Sequence, residues 1–285
     1  MSSRSSFIEE LLRNMCGVTG VFHYGRKGTV TQEILTAMRD TMTHRGPDGG
    51  ENWISPDGAV GLSHRRLSII DLSTAACQPM CNEDGAVWVT FNGEIYNHLL
   101  LRKELLAAGH TFRTDHSDTE VLVHGYEQWG IEGLLARLDG DYAFAIWDSA
   151  RETLSLARDR IGVKPLYFSL TDGVLLFASE IKAILAYPNF VRDVDAMAMY
   201  HYLSFLTTPA PMTMFKGVFK LPAGYVVQAR IGGEFCAKRY WDAVPSNGIF
   251  PKDIANLSET ALEQFYIDGI RTRLNDAVEK RMMSD

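Results

Sequence analysis

Apolar and polar positions alternate in short runs through the first two thirds of the chain, and glycine or aspartate closes most of the runs. "GVTGVFHY" (17–24), "GAVGLSHRRLSII" (58–70) and "AVWVTFNGE" (86–94) read as strands. "GDYAFAIWD" (140–148), "ETLSLARD" (152–159), "KPLYFSL" (164–170) and "GVLLFAS" (173–179) follow the same rule. Three- and four-residue spacing of apolar positions predicts helices over 31–42, 97–109 and 117–130. Thr31 and Ser117 stand as candidate N-caps, each with Glu or Gln close behind. The helices fall in groups between sets of strands, which predicts α+β layers rather than β-α-β units.

The texture changes after residue 188. "VRDVDAMAMYHYLSF" (191–205) predicts a helix, and the Pro-rich stretch 207–224 reads as a linker-like crossing. A last helix over 258–283 carries Leu262, Tyr266, Ile270, Leu274, Val278 and Met282 on one drifting stripe, which needs something to pack against.

Composition narrows the function classes. The 285 residues are 46% hydrophobic and 11% aromatic, enough for a sizeable core. The net charge of −7 argues against nucleic acid or an anionic membrane as main partner, because either needs a basic face. No apolar run reaches membrane-spanning length. Residues 1–14, "MSSRSSFIEELLRN", lack the apolar core of a signal peptide, so the expected location is cytoplasmic. Cys77 and Cys81 form a C-x₃-C pair without a second Cys/His pair at zinc spacing, so no metal ligands are assigned. Cys236 reads as a small strand residue.

Several short segments have a shape that suits chemistry. Cys16, followed by Gly17 at a strand start, can approach a carbonyl without crowding, although taken alone the pair is better explained by a buried structural thiol. Only a thiolate attacks, and a free Cys titrates near ~8.5, so a base is required. Asn92-Gly93 in "FNGEIYN" offers a side-chain amide and an unencumbered N–H, the two donors an oxyanion hole uses; a plain turn is the competing reading. Arg66 in "HRRLSIIDL" ends a strand, where its guanidinium could grip a carboxylate through two hydrogen bonds. Asp118 opens a helix, either as a structural acid or as a receiver for an ammonium group. "HRGPDG" (44–49) packs a cation, a proline and an acid into one loop, and "ARDRIGVKPLYF" (157–168) reads as architectural.

Their order is more specific than any one of them. "MCG", "HRGPDG", "HRRLSIIDL", "FNGEIYN", "HSDTE", "GDYAFAIWD", "RDRIGVKPLY" and "ASEIKAIL" together closely resemble the glutaminase half of glutamine-hydrolysing asparagine synthetases, which are class II amidotransferases. The resemblance runs from Met15 to about residue 245. It implies an α+β fold of the N-terminal-nucleophile hydrolase kind, an αββα sandwich of two antiparallel sheets between helical layers. It implies Cys16 as nucleophile with its own α-amino group as base, and Asn92 and Gly93 as the oxyanion hole. Arg66 would clamp the α-carboxylate of glutamine, Ile70 would line the site through its backbone, and Glu94 and Asp118 would receive the α-ammonium.

The resemblance also divides the chain into an extension (1–15), an amidotransferase domain (16–225), and a linker with the truncated start of a synthetase domain (226–285). ATP and Mg²⁺ belong with that absent domain, and this chain needs no cofactor of its own. The implied partners are L-glutamine, a synthetase domain in cis or in trans, and a second copy in a homodimer. Other acceptors, such as a surface polysaccharide, and a catalytically inert scaffold remain as alternatives. Residues 1–15 raise a separate question, because an acylated Cys16 nitrogen has no basicity. Met15 as true start, a cleaved propeptide and a retained, inactivating extension are the three readings.

Overall fold

In the computed structural model, which describes residues 15–67, 77–115, 117–244 and 257–282, the alternating runs pair into two antiparallel sheets. The strands begin with β1 (Gly17–His23), β2 (Gly49–Ile54), β3 (Val60–Arg66), β4 (Met80–Cys81), β5 (Val87–Ile95) and β6 (Gly140–Asp148). They continue with β7 (Thr153–Arg158), β8 (Tyr167–Thr171), β9 (Val174–Ala178), β10 (Val218–Lys220), β11 (Tyr225–Arg230) and β12 (Glu234–Arg239). The helices are α1 (Gln32–Asp40), α2 (His98–Ala107), α3 (Thr119–Arg137), α4 (Ile181–Leu185), α5 (Ala196–Phe205) and α6 (Glu259–Arg281). One sheet has the order β10-β8-β9-β1-β3-β2 and the other β12-β11-β7-β6-β5-β4.

Side-chain alternation decides how the sheets stack. On β6, Tyr142, Phe144 and Ile146 join an apolar cluster with residues of α2 and α3, whereas Ala143, Ala145 and Trp147 face the other sheet. On β9, Leu175 and Phe177 enter that same inter-sheet core, while Val174, Leu176 and Ala178 pack with residues of α1 and α4. Strands buried on both faces therefore generate three cores and four layers in the order helix, sheet, sheet, helix. Phe144 and Phe177 are fully buried, each contributing roughly 1.5–3 kcal/mol of apolar transfer.

The seven runs predicted as strands become β1, β3 and β5 to β9. β2, β4, β10 and β11 were not predicted, and of β12 only Cys236 was read as a strand residue. β2 reads "GGENWI", with glycine and polar residues on a half-exposed edge, so its alternation carries little contrast. β10 lies inside the stretch read as a linker and pairs with β8.

Helix boundaries also shift. Thr31 caps α1 as expected, accepting a hydrogen bond from Ile34 N–H at 3.4 Å. Ser117 does not cap α3; Asp118 takes the N-cap position, and its carboxylate turns to Ile95 instead. The helix predicted over 117–130 is interrupted at Gly130, whose φ of 65° and ψ of 178° are not helical, and a second helical piece follows across the kink to Arg137. The helix predicted from 191 starts at Ala196, where the Asp195 side chain accepts from Ala198 N–H.

The expected domain boundary at residue 225 cuts the second sheet. β11 starts at Tyr225 and pairs with both β7 and β12, so the first compact unit extends to Trp241. The second unit, 242–285, contains α6, capped by the Ser258 hydroxyl accepting from Ala261 N–H. Tyr266, Ile270, Leu274, Val278 and Met282 of the expected stripe are exposed on or at the end of that helix.

Candidate functional site

Cys16 lies one residue before β1, in the middle of its sheet. Its thiol is held by the chain leaving β3: Leu67 N–H donates to Sγ at 3.4 Å, and Sγ donates to Leu67 O at 3.6 Å. Its carbonyl oxygen accepts from Arg45 Nε at 3.0 Å, and Arg45 Nη1 pairs with Glu180 at 3.2 Å. Arg45 is almost completely buried, so the "HRGPDG" loop serves as the anchor of Cys16.

Across the inter-sheet gap, β5 lies against β1 and β3. Two contacts fix this crossing: His64 Nε2 to Phe91 O at 3.1 Å, and Thr90 Oγ1 to Ser63 O at 3.2 Å. Burial drives the pKa of His64 down to about 3, so the imidazole is neutral and its Nε2–H donates to the carbonyl.

The alternation on β5 then places the candidate chemistry. Trp88 and Thr90 reach the facing sheet, and the period of two sends Asn92 and Glu94 to the same side. Val87, Val89, Phe91 and Ile95 face the helices.

The backbone alternates as well. β4 covers β5 only as far as Val89, leaving the later N–H groups on that edge to other partners. Phe91 N–H donates to Gln78 Oε1 at 2.6 Å, and Ile95 N–H donates to Asp118 Oδ2 at 3.0 Å. Gly93, midway between them, directs its N–H to the same open side. A Cβ on Gly93 would overlap the Asp141 carbonyl oxygen, which is why glycine stands there. The Asn92 Nδ2 group is buried and has no hydrogen-bond partner among the described residues. An orphaned amide donor and an outward N–H on consecutive residues are the two groups that can receive a developing oxyanion.

Charge gathers around the thiol. Burial, then the charges of Glu94 and Asp118, push the Cys16 thiol up, against Leu67 N–H and Lys164, which pull it down. Burial together with Asp118 raises Glu94 to about 8, opposed by Lys164. Burial also raises Asp118, opposed by the Ile95 N–H and His98. Two carboxyl groups that resist ionisation side by side form a ready receptor for a cation.

Of the residues singled out in the sequence, Cys16, Glu94 and Asp118 thus share one electrostatic environment. Arg66 ends β3, next to the Leu67 that holds the thiol, and its Nη1 donates to Cys77 Sγ at 3.4 Å. Ile70 lies outside the described residues.

His64, Gln78, Arg45 and Lys164 were not found by sequence. Lys164 sits in the "RDRIGVKPLY" turn, which is tied from both ends. Asp159 accepts from Ile161, Val163 and Lys164 N–H groups, and Arg158 donates to the Gly162, Lys164 and Leu221 carbonyls at 2.7 Å. The turn is architectural, as expected, and it also presents a cation to the thiol and Glu94.

Two facing antiparallel sheets between helical layers, with a Cys-Gly step opening a central strand, define an αββα sandwich. A glutamine phosphoribosylpyrophosphate amidotransferase from B. subtilis shares this fold at TM-score 0.58 and 19% identity, over 79% of this chain and 49% of that one. The profile described as "Glutamine amidotransferase domain" matches residues 15–241, and the chain belongs to that family. Among curated relatives, asparagine synthetase [glutamine-hydrolyzing] 1 of Bacillus subtilis (strain 168) is 39% identical over 95% of this chain and 40% of its own length. Amidase chry2 of Gibberella zeae is 32% identical, again over 95% of this chain and 40% of its own length. The chain thus spans about 40% of the length of these relatives. Among the described residues no helix is long and apolar enough to cross a membrane.

Proposed function

We propose that this chain hydrolyses L-glutamine to glutamate and ammonia through Cys16, as the glutaminase part of an asparagine synthetase that amidates aspartate at the expense of ATP. The observation that carries the reading is a held Cys16 Sγ that feels the charges of Glu94 and Asp118, with the Asn92 amide on the same face of β5 as Glu94. Arg66 would take the α-carboxylate, Glu94 and Asp118 the α-ammonium, and Ile70 the backbone contact. Gripping both charges of the zwitterion sets the carboxamide against sulfur, where orientation supplies a large part of the acceleration.

In the proposed course, Sγ attacks the side-chain carbonyl carbon and its proton passes to the α-amine of Cys16. The oxygen takes negative charge beside Asn92 Nδ2 and Gly93 N–H. The C–N bond then breaks as the amine returns the proton to the departing ammonia, leaving a γ-glutamyl thioester that water hydrolyses. This base exists only where Cys16 carries a free amine, so the reading requires removal of residues 1–15 or a start at Met15 followed by loss of that Met. ATP and Mg²⁺ would act on a synthetase domain in cis or in trans, with a homodimer as the expected assembly. Four free thiols fit a reducing, cytoplasmic setting.

The test is intact mass and glutamate release from purified protein, with Cys16→Ala as control. Activity together with a mass lacking residues 1–15, and no activity in the control, is the expected outcome. Glutamate release from protein that retains its leader overturns the amine as base. The amidase among the relatives favours a second reading of the acceptor alone: the same glutaminase serving a substrate other than aspartate. Product analysis after joining the chain to its natural continuation separates the two.

A further inference from the structure

On the outer face of the second sheet, the turn after α2 meets α3 through a set of residues that the glutaminase chemistry does not use. His110, His124 and Glu127 each offer one ligand atom, and these atoms lie within 4.8 Å of one another. Glu127 Oε2 is 3.0 Å from His124 Nδ1 and 3.9 Å from His110 Nδ1. Tetrahedral zinc with bonds of about 2.0–2.1 Å sets its ligand atoms about 3.3 Å apart, between those two separations.

The far side of each residue is what turns a cluster into a site. His124 Nε2 faces the Glu120 carboxylate at 3.6 Å. His110 Nε2 bonds Gln128 Oε1 at 3.0 Å, and Glu127 Oε1 accepts from Asn82 Nδ2 at 2.7 Å. Every candidate ligand thus meets an outer partner on one atom while its other atom faces the rest of the set, where His124 Nδ1 and Glu127 Oε2 share a hydrogen bond at 3.0 Å. A carboxylate or amide behind each metal-bound group is the usual support of a metal site. His124 is almost fully buried and stands edge-on to Phe112 at 4.7 Å between centroids, which fixes its ring plane. His124 and Glu127 occupy one face of α3 at a spacing of three, and His110 comes from the preceding turn.

We infer that His110, His124 and Glu127 form a three-ligand site for a divalent transition metal of the zinc class, with water completing the shell. Both histidines bind through Nδ1, and Glu127 binds through Oε2. The metal takes the place of the proton on His124 Nδ1, which leaves to solvent, and no other bond changes. Bound metal ties the 108–115 turn to α3, the helix whose N-cap is Asp118. The site is structural and separate from Cys16.

Equilibrium dialysis of the full chain against micromolar Zn²⁺, followed by metal analysis, tests this. One equivalent bound by the wild type, weakened at least tenfold in both His110→Ala and Glu127→Gln, is the expected result. Thermal melting gives a second readout: Zn²⁺ raises the Tm of the wild type but not of either variant. His110 and Glu127 are not deeply buried, so both variants fold. No bound zinc in the wild type overturns the assignment. So does zinc retained equally by the two variants, which would locate it on the thiols.

Discussion

Asn92 illustrates how a residue chosen for chemistry stands apart from one chosen for stability. Its Nδ2 group is buried and unpaired among the described residues, an arrangement that costs about 1–3 kcal/mol in a folded protein. Asn92→Ala should therefore leave the melting temperature unchanged or higher while lowering kcat for glutamine hydrolysis by about 10²–10³-fold, with KM little altered. Parallel melting and glutamate-release assays check both halves; a strongly destabilised variant would make Asn92 a structural residue.

Glu94 makes the complementary case in protons. Its pKa near 8 means that the unliganded site holds a proton at neutral pH. The ammonium of glutamine favours the carboxylate, so binding below about pH 8 expels that proton. Glutamine affinity should rise with pH and level off above about 8, and Glu94→Gln should flatten the curve. Calorimetry on Cys16→Ala protein in buffers of different ionisation enthalpy reads the released proton directly. Folding linkage has the opposite sign. With the folded value above the ordinary 4.5, the contribution of Glu94 is present below that pH and lost as pH rises toward 8.

At the scale of elements, β5 holds the site because its free edge is closed by side chains instead of a strand. Gln78 accepts the Phe91 N–H and also donates to Thr119 Oγ1 at 3.2 Å, joining β5 to the first turn of α3. Gln78→Ala leaves a buried N–H unpaired, and urea denaturation should show a loss of about 1–3 kcal/mol. Asp118 moves with that turn, so KM for glutamine should rise as well.

The same strand shows what the sequence could express. Alternation placed β5 within a residue of its observed ends, whereas "FNG" taken alone read more readily as a turn and became a donor pair only through the order of motifs around it. Gln78 and His64 left no comparable trace, since a polar side chain satisfying a distant backbone group has no period and no fixed spacing. The edge strands β2 and β10, and all of β12 but Cys236, escaped for a related reason: one face is solvated or half covered, and the contrast between apolar and polar positions fades. Lys164 was quoted within a motif yet assigned to architecture, because its approach to Cys16 depends on a turn locked by Asp159 and Arg158. The His110–His124–Glu127 set joins a turn to a helix across thirteen intervening residues, and without a Cys beside His110 the sequence shows no Cys/His zinc pattern there.

For the whole molecule, the main consequence lies in what the first compact unit leaves uncovered. α5 reads "AMAMYHYLSF" and buries only Ala198, while Met197, Tyr200, Leu203 and Phe205 are 59%, 67%, 74% and 68% exposed. Leu206, just beyond, is 81% exposed. Apolar side chains at this density on one short helix exceed the scattered surface hydrophobes of an ordinary monomer and behave as a contact surface. A net charge of −7 spread over 285 residues opposes aggregation only weakly at physiological ionic strength, where repulsion fades beyond about 8 Å. Purified by itself, the chain should associate reversibly, with a sedimentation coefficient that rises with concentration. Leu203→Glu combined with Phe205→Glu should shift it toward monomer while leaving glutamine hydrolysis intact, because neither residue belongs to the Cys16 site. A wild-type chain that sediments as one monomeric species across the concentration range would show that α5 tolerates water as it stands. Association unchanged by the double substitution would assign the contact to another surface.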